Sequence, residues 1–210
     1  MATPKKKGLK SFKTFDPKKY IETEPTLAEA VKADTVVFTF GRMNPMTIGH
    51  EKLINKITAV ARSEKAQAQV YLSHSAGAKS KSGKGAVNKN PLTYDDKIKY
   101  AQKAFGPTVT KSKLKTLIDI AKDLSTKYKN LVMVAGSDRV DEYAKLLNKY
   151  NGKDFKFDSI KVVSAGDRDP DGEGASGMSG TKMREFAKAG DVRKFKTGLP
   201  KGLQSNAAEI

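Results

Sequence analysis

The chain has 210 residues, no cysteine, and 40 Lys and Arg against 23 Asp and Glu, a formal charge of +17. That length suffices for one well-buried domain with some excess, while the lack of cysteine excludes disulfides, thiolate metal sites and a cysteine nucleophile. No apolar run approaches the roughly 20 residues that span a bilayer and the N-terminus has no signal-peptide core, so the sequence reads as cytoplasmic with no membrane contact.

Taken in chain order, residues 1–32 form a basic extension, with Lys5, Lys6, Lys7, Lys10, Lys13, Lys18 and Lys19 crowded into it. It reads either as a solvated tail or as a contact for nucleic acid or another polyanion. From residue 33 apolar runs alternate with helical patterns, the signature of βαβ units. Strands are expected at 35–40, 68–73, 131–135 and 159–164, with a thin fifth at 107–110, and helices at 48–62, 94–105, 114–128, 139–150, 182–189 and 192–196. The expected fold class is α/β, a Rossmann-like parallel five-stranded sheet with helices on both faces, in a single domain over 33–198 that carries the basic N-terminal tail and ends in a C-terminal tail, 199–210. In such a sheet the ligand sits beyond the carboxyl ends of the strands, where the loops after Phe40, Ser73, Ala135 and Ser164 converge.

The densest of these loops is GRMNPMTIGH, from Gly41 to His50, between the first strand and the first helix. Backbone N–H groups and the positive end of a helix dipole favour an anion there, and His50 lies three residues after Thr47 on the same helical face. Leu72-Ser73-His74-Ser75 ends the second strand; a Lys/Gly/Ser segment with Lys79, Lys81, Lys84 and Lys89 follows, then Asn90-Pro91-Leu92-Thr93, where Thr93 suits a helix N-cap ahead of Asp95 and Asp96. Taken alone, His74 reads equally well as a histidine that caps a strand end. Gly136-Ser137-Asp138 follows the strand at 131–135 and by itself is a good turn and N-cap. The run from Asp167 to Gly174 lacks the spacing of a calcium loop and reads as a lid. A second cluster of cations, Lys182, Arg184, Lys188, Arg193, Lys194 and Lys196, surrounds Met178-Ser179-Gly180-Thr181-Lys182-Met183-Arg184 near the C-terminus.

Two of these segments, in this order, resemble the nucleotidylyltransferase superfamily: GRxNPxTxGH looks like its (H/T)xGH signature, and the segment from Met178 to Arg184 its ISSTxxR motif. A strand-end Ser-His followed by Asn-Pro-Leu-Thr is similar to the archaeal-type and bifunctional nicotinamide mononucleotide adenylyltransferases, with Asp96-Lys97 where that family has Glu-Arg and with a longer, more basic intervening loop. Gly136-Ser137-Asp138 is similar to the family's GxD, whose aspartate approaches the nucleoside. Similar small proteins occur in tailed phages, so the cytoplasm would be a host cell's if the chain is phage-encoded.

The resemblance implies transfer of AMP from ATP to a phosphorylated small-molecule acceptor, most naturally nicotinamide mononucleotide, giving NAD and pyrophosphate. His50, protonated or donating through one ring nitrogen, would bind the α-phosphate, with Thr47 as a hydroxyl donor. Ser179, Gly180, Thr181 and Arg184 would grip the β- and γ-phosphates. Gly41, Arg42, Asn44, Gly49, Gly136 and Asp138 would line the nucleotide site, Arg42 facing the phosphates or forming a surface ion pair. His74, Asn90, Pro91 and Lys97 would serve the acceptor. Mg2+ would be carried on the nucleotide phosphates rather than by a protein metal site. The family is often oligomeric, which makes a homo-oligomer an implied partner. Two other readings stand beside this one: a cytidylyltransferase, or a member with a phospho-alcohol, phospho-sugar or phosphopantetheine acceptor; and a nucleic-acid-binding or structural protein that kept the fold after its chemistry decayed.

Overall fold

In the computed structural model, which describes residues 33–75, 90–166 and 177–210, the first strand, β1 (Thr35–Gly41), is nearly all β-branched or aromatic, as a strand covered on both faces must be. It is followed by α1 (Ile48–Ser63), β2 (Gln67–Leu72), α2 (Tyr94–Phe105), β3 (Val109–Thr110), α3 (Leu117–Ser125), β4 (Asn130–Ala135), α4 (Val140–Tyr150), β5 (Ser159–Ser164), α5 (Gly180–Lys188) and α6 (Val192–Gly198). The strands form one five-stranded parallel sheet in the order β3-β2-β1-β4-β5. The chain winds outward from β1 to β3, crosses back to β4, and winds outward again. The α/β, Rossmann-like expectation is met, including the thin fifth strand, which is two residues long and pairs with Val70 and Tyr71.

Alternation along the strands divides the core in two. Val37, Val70, Leu72, Val132 and Val134 face Ile54 and Ile57 of α1, Ile98 and Ala101 of α2, Met183 of α5 and Phe195 of α6. Val36, Phe38, Tyr71, Leu131 and Met133 face Leu117, Ile120 and Leu124 of α3 and Leu147 of α4. Each such side chain, fully buried, contributes about 1.5–3 kcal/mol relative to exposure. Among the described residues, no helix is long and apolar enough to cross a membrane.

Among the boundaries that differ from expectation, three have a clear local reason. Helix α3 begins at Leu117 rather than 114, because the Thr116 hydroxyl accepts from Asp119 N–H (3.1 Å) and donates to the Asp119 carboxylate (2.7 Å), fixing the N-cap there. Helix α5 begins two residues early, at Gly180, because Ser179 is its cap and accepts from Lys182 N–H at 3.2 Å. A 3-10 turn, Ser137–Arg139, precedes α4. Residues 199–210, read as a tail, pack against the same core as α2: Leu199, Leu203 and Ala207 are buried at intervals of four, one stripe through the 3-10 segment Lys201–Asn206. The basic extension at 1–32, the lysines at 79–89 and the acidic run at 167–174 lie outside the described residues.

Candidate functional site

The reversal of winding between β1 and β4 leaves a crevice at their carboxyl ends, the place where open α/β sheets bind ligands. The structure has a cleft of about 350 Å³ there, within the range of small-molecule sites. It is lined by the loop after β1, the start of α1, the loops after β4 and β5, and the N-terminal turn of α5.

The loop after β1 is rigidly built. Met43 turns it with a positive φ of 44° and buries its side chain; the Asn44–Pro45 peptide is cis. Asn44, 3% exposed, pairs its amide with the backbone of Leu92 as a neighbouring strand would, donating to Leu92 O (2.9 Å) and accepting from Leu92 N–H (3.1 Å). Its own carbonyl accepts from Arg184 Nη1 at 2.9 Å, and Arg184 Nη2 donates to Thr181 Oγ1 at 3.0 Å. Arg184 thus locks the C-terminal motif onto the N-terminal one across 140 residues of sequence. It is buried, and burial followed by the nearby Arg42 charge lowers its pKa from the ordinary arginine value.

Thr47 is the N-cap of α1 and His50 its third helical residue. Thr47 N–H donates to His50 Nδ1 at 2.9 Å, with Thr47 Oγ1 3.0 Å from the same nitrogen. This is a capping box in which imidazole replaces the usual Glu or Gln. Because Nδ1 accepts, the neutral ring carries its proton on Nε2, the tautomer that offers a donor to an anion. Thr47 is 3% exposed and acts on the imidazole, orienting it.

Of the residues expected at the site, the cleft brings together Gly41, Arg42, Asn44, Thr47, Gly49, His50, Gly136, Asp138, Gly180 and Arg184. The Asp138 carboxylate folds back over Gly136, with Oδ1 2.7 Å from where a Cβ would stand, so a side chain at 136 would make that carboxylate turn away. Lys52, Arg139 and Tyr143 also line the cleft, though the motifs do not mark them. Their signal was helical spacing: Lys52 stands three residues after Gly49 on α1, and Tyr143 stands four residues after Arg139. Arg139 pairs with Glu142 at 3.2 Å. The Ser179 amide, expected on pyrophosphate, donates instead to Gly177 O at 3.1 Å, which leaves Gly180 and Thr181 as the first amides of α5. Asp138 is the one carboxylate among the described lining residues, and no cluster of three metal-ligating side chains occurs among the described residues.

The expected acceptor residues lie elsewhere. His74 stacks on Tyr94, with centroids 3.8 Å apart, and its Nε2 bonds Ser112 O at 2.7 Å, the same carbonyl that Tyr94 Oη reaches at 2.8 Å. Lys97 is fully buried under the loops after β1 and β2. Asn90 is 6% exposed, and Pro91 is exposed beside the Asn44–Leu92 pairing. A second groove, of about 460 Å³, lies beside β2 and β3, where Lys111 and Lys127 are already paired with Asp95 and Asp123. It contains none of the motif residues. Neither a protein-family model nor a curated protein sequence matches the chain.

Proposed function

We propose that the chain is a nucleotidylyltransferase that transfers AMP from ATP to a phosphorylated acceptor, nicotinamide mononucleotide first among them, in the cytoplasm that supplies the ATP. The observation that carries this reading is that His50 and Arg184, the latter held on the Asn44 carbonyl, line one cleft at the switch point of the sheet. In the proposed reaction an oxygen of the acceptor phosphate attacks the α-phosphorus of ATP; that P–O bond forms as the bond to the β-phosphate oxygen breaks, and pyrophosphate leaves with the electron pair. His50, oriented through Nδ1, donates to the α-phosphate as its charge builds. The N-terminal amides of α5 and the Arg184 guanidinium hold the leaving pyrophosphate, with Arg42 and Lys52 adding positive potential at the rim. Tyr143 and Arg139 offer a ring and a planar cation to the nucleoside, beside the Asp138 carboxylate. Magnesium bound to the phosphates would neutralise part of their charge.

The test is magnesium-dependent pyrophosphate release from ATP and from CTP, against a panel of phosphorylated acceptors headed by nicotinamide mononucleotide. Turnover with ATP and that acceptor, abolished by chelation, is the expected result. Release with CTP alone would reassign the base, and no release with any pair would remove the enzyme reading.

A further inference from the structure

Lys97 is a buried cation with no carboxylate in an ion pair with it among the described residues. Its Nζ donates to three backbone carbonyls: Arg42 O at 3.2 Å on the loop after β1, and Ser73 O and Ser75 O (3.4 Å) on the loop after β2. An ammonium has three N–H bonds, one for each carbonyl. A neutral amine has two and would point its lone pair at the third oxygen. The geometry is therefore built for the charged form, while burial opposes the charge and pushes its pKa down to about 8, with the Arg42 charge adding to the effect.

Among the described residues, nothing from the elements around it supplies a compensating negative charge. From the loop after β1 comes Arg42, and behind Arg42 stands Arg184 of α5. From the loop after β2 comes His74, bonded to Ser112. On α2 itself, Asp96 is turned onto Thr93, with Oδ2 2.6 Å from its hydroxyl, and Tyr94 is bonded to Ser112. Arg42, whose backbone carbonyl takes one of the Lys97 hydrogen bonds, lines the cleft, so an anion bound there would lie beside the loop that Lys97 holds.

We propose that Lys97 is a positioning residue for the phosphate site: its ammonium ties the loop after β1 to the loop after β2, and binding of a polyphosphate beside Arg42 draws a proton onto it. This rests on the reading of the cleft as a nucleotide-phosphate site. The sign follows from the groups involved. Above pH 8 the unliganded protein holds Lys97 mostly neutral, an anion nearby restores the charge, and so binding takes up a proton and weakens as the pH rises.

Isothermal titration of the full chain with ATP at pH 8.5, in two buffers of different ionisation enthalpy, reads that proton directly, since phosphate groups with a second pKa near 6 are fully ionised there. The wild type is expected to take up roughly half a proton per ATP, and its affinity to fall between pH 8 and 9.5. Lys97→Arg, whose charge is permanent, is expected to bind with no such uptake and a flatter pH profile. Lys97→Met is expected to lose both the uptake and most of the affinity, with faster amide exchange in the two loops that Lys97→Arg restores. ATP binding by the wild type without uptake, or equal uptake in Lys97→Arg, would overturn the coupling and leave the phosphate site standing. Failure of the wild type to bind ATP would overturn both.

Discussion

The cleft above β1 and β4 and the shoulder above β2 and α2 are made from the same residue types, yet they use them in opposite ways. In the cleft, Thr47 orients His50 through Nδ1, Asn44 and Thr181 hold the Arg184 guanidinium, and both side chains line the cavity. On the shoulder, His74 is stacked on Tyr94 and bonded to Ser112, and Lys97 is spent on three carbonyls. A polar residue at the end of a strand is thus not a ligand-binding residue by type. What separates the two regions is topology: the sheet reverses beside β1 and β4, which opens a crevice, whereas β2 lies between β1 and β3 with its loop tied back by Lys97.

The sharpest way to break that contrast is at its strongest link. Arg184→Ala removes the cation and leaves the buried Asn44 carbonyl without its donor, and should lower pyrophosphate release by about a thousandfold and stability by about 1–3 kcal/mol. Lysine should not rescue it, since one ammonium cannot reach both Asn44 O and Thr181 Oγ1 in the fork geometry. Turnover within tenfold of wild type in Arg184→Ala would place the leaving group elsewhere. His50 is next. His50→Ala should cost about 10²–10³ in kcat. It also removes half of a capping box, worth about 1 kcal/mol, and His50→Gln separates the two roles because glutamine is a natural partner at that position. Restored stability with kcat still low is the expected signature; restored kcat would make His50 a cap and nothing more.

Much of the fold was legible because its signals are local and repetitive. The run from Thr35 to Phe40 reads as a strand, 48–62 as a helix, and Thr93 as an N-cap, which the structure completes with Asp96 into a reciprocal box. The gathering of the loops after β1, β4 and β5 at one end of the sheet was legible too, while the bond from Arg184 to the Asn44 carbonyl that ties the two motif segments was not. The shoulder was not, because stacking of His74 on Tyr94 depends on where the loop at Ser112 crosses the sheet edge, and burial of Lys97 on where the loops after β1 and β2 meet over α2. The C-terminal dozen was missed for a simpler reason: its apolar stripe has only three members, Leu199, Leu203 and Ala207, too few to stand out against a polar background.

Below the cleft, Gly198 tests how tightly the C-terminal helices are fitted. A Cβ there would lie 2.2 Å from Met183 Sδ and 2.6 Å from Met178 Cγ, so Gly198→Ala overpacks a site whose Met178 also lines the cleft. The expected cost is about 1–3 kcal/mol by chemical denaturation, with a weaker effect on nucleotide binding than Arg184→Ala. An unchanged midpoint would mean that both methionines swing away freely. On the shoulder, His74→Phe keeps the stack on Tyr94 and removes the bond to Ser112 O, which still accepts from Tyr94 Oη. With that acceptor satisfied, the loss should be only about 0.5–1.5 kcal/mol. A tenfold rise in acceptor KM at unchanged stability would instead return His74 to the ligand.

The smallest effect is expected where the C-terminal segment meets α2. Glu209 is bonded to Lys99 at 2.9 Å and to Asn206 at 2.7 Å, and its carboxylate is held at about 2, below its ordinary 4.5, by the Lys99 hydrogen bond first, then that of Asn206, then the Lys99 charge. Since the folded-state value is the lower one, the contribution is present above pH 4.5 and is lost as the pH falls through 2. Wild type and Glu209→Gln should therefore differ in Tm at pH 6 and converge toward pH 2. Both side chains of the ion pair are at least half exposed, so raising the salt should shrink the difference at pH 6 as well. A difference that survives high salt would assign the anchoring to the Asn206 bond, which holds the last turn to itself, and leave Leu203 and Ala207 alone to hold that segment on the core.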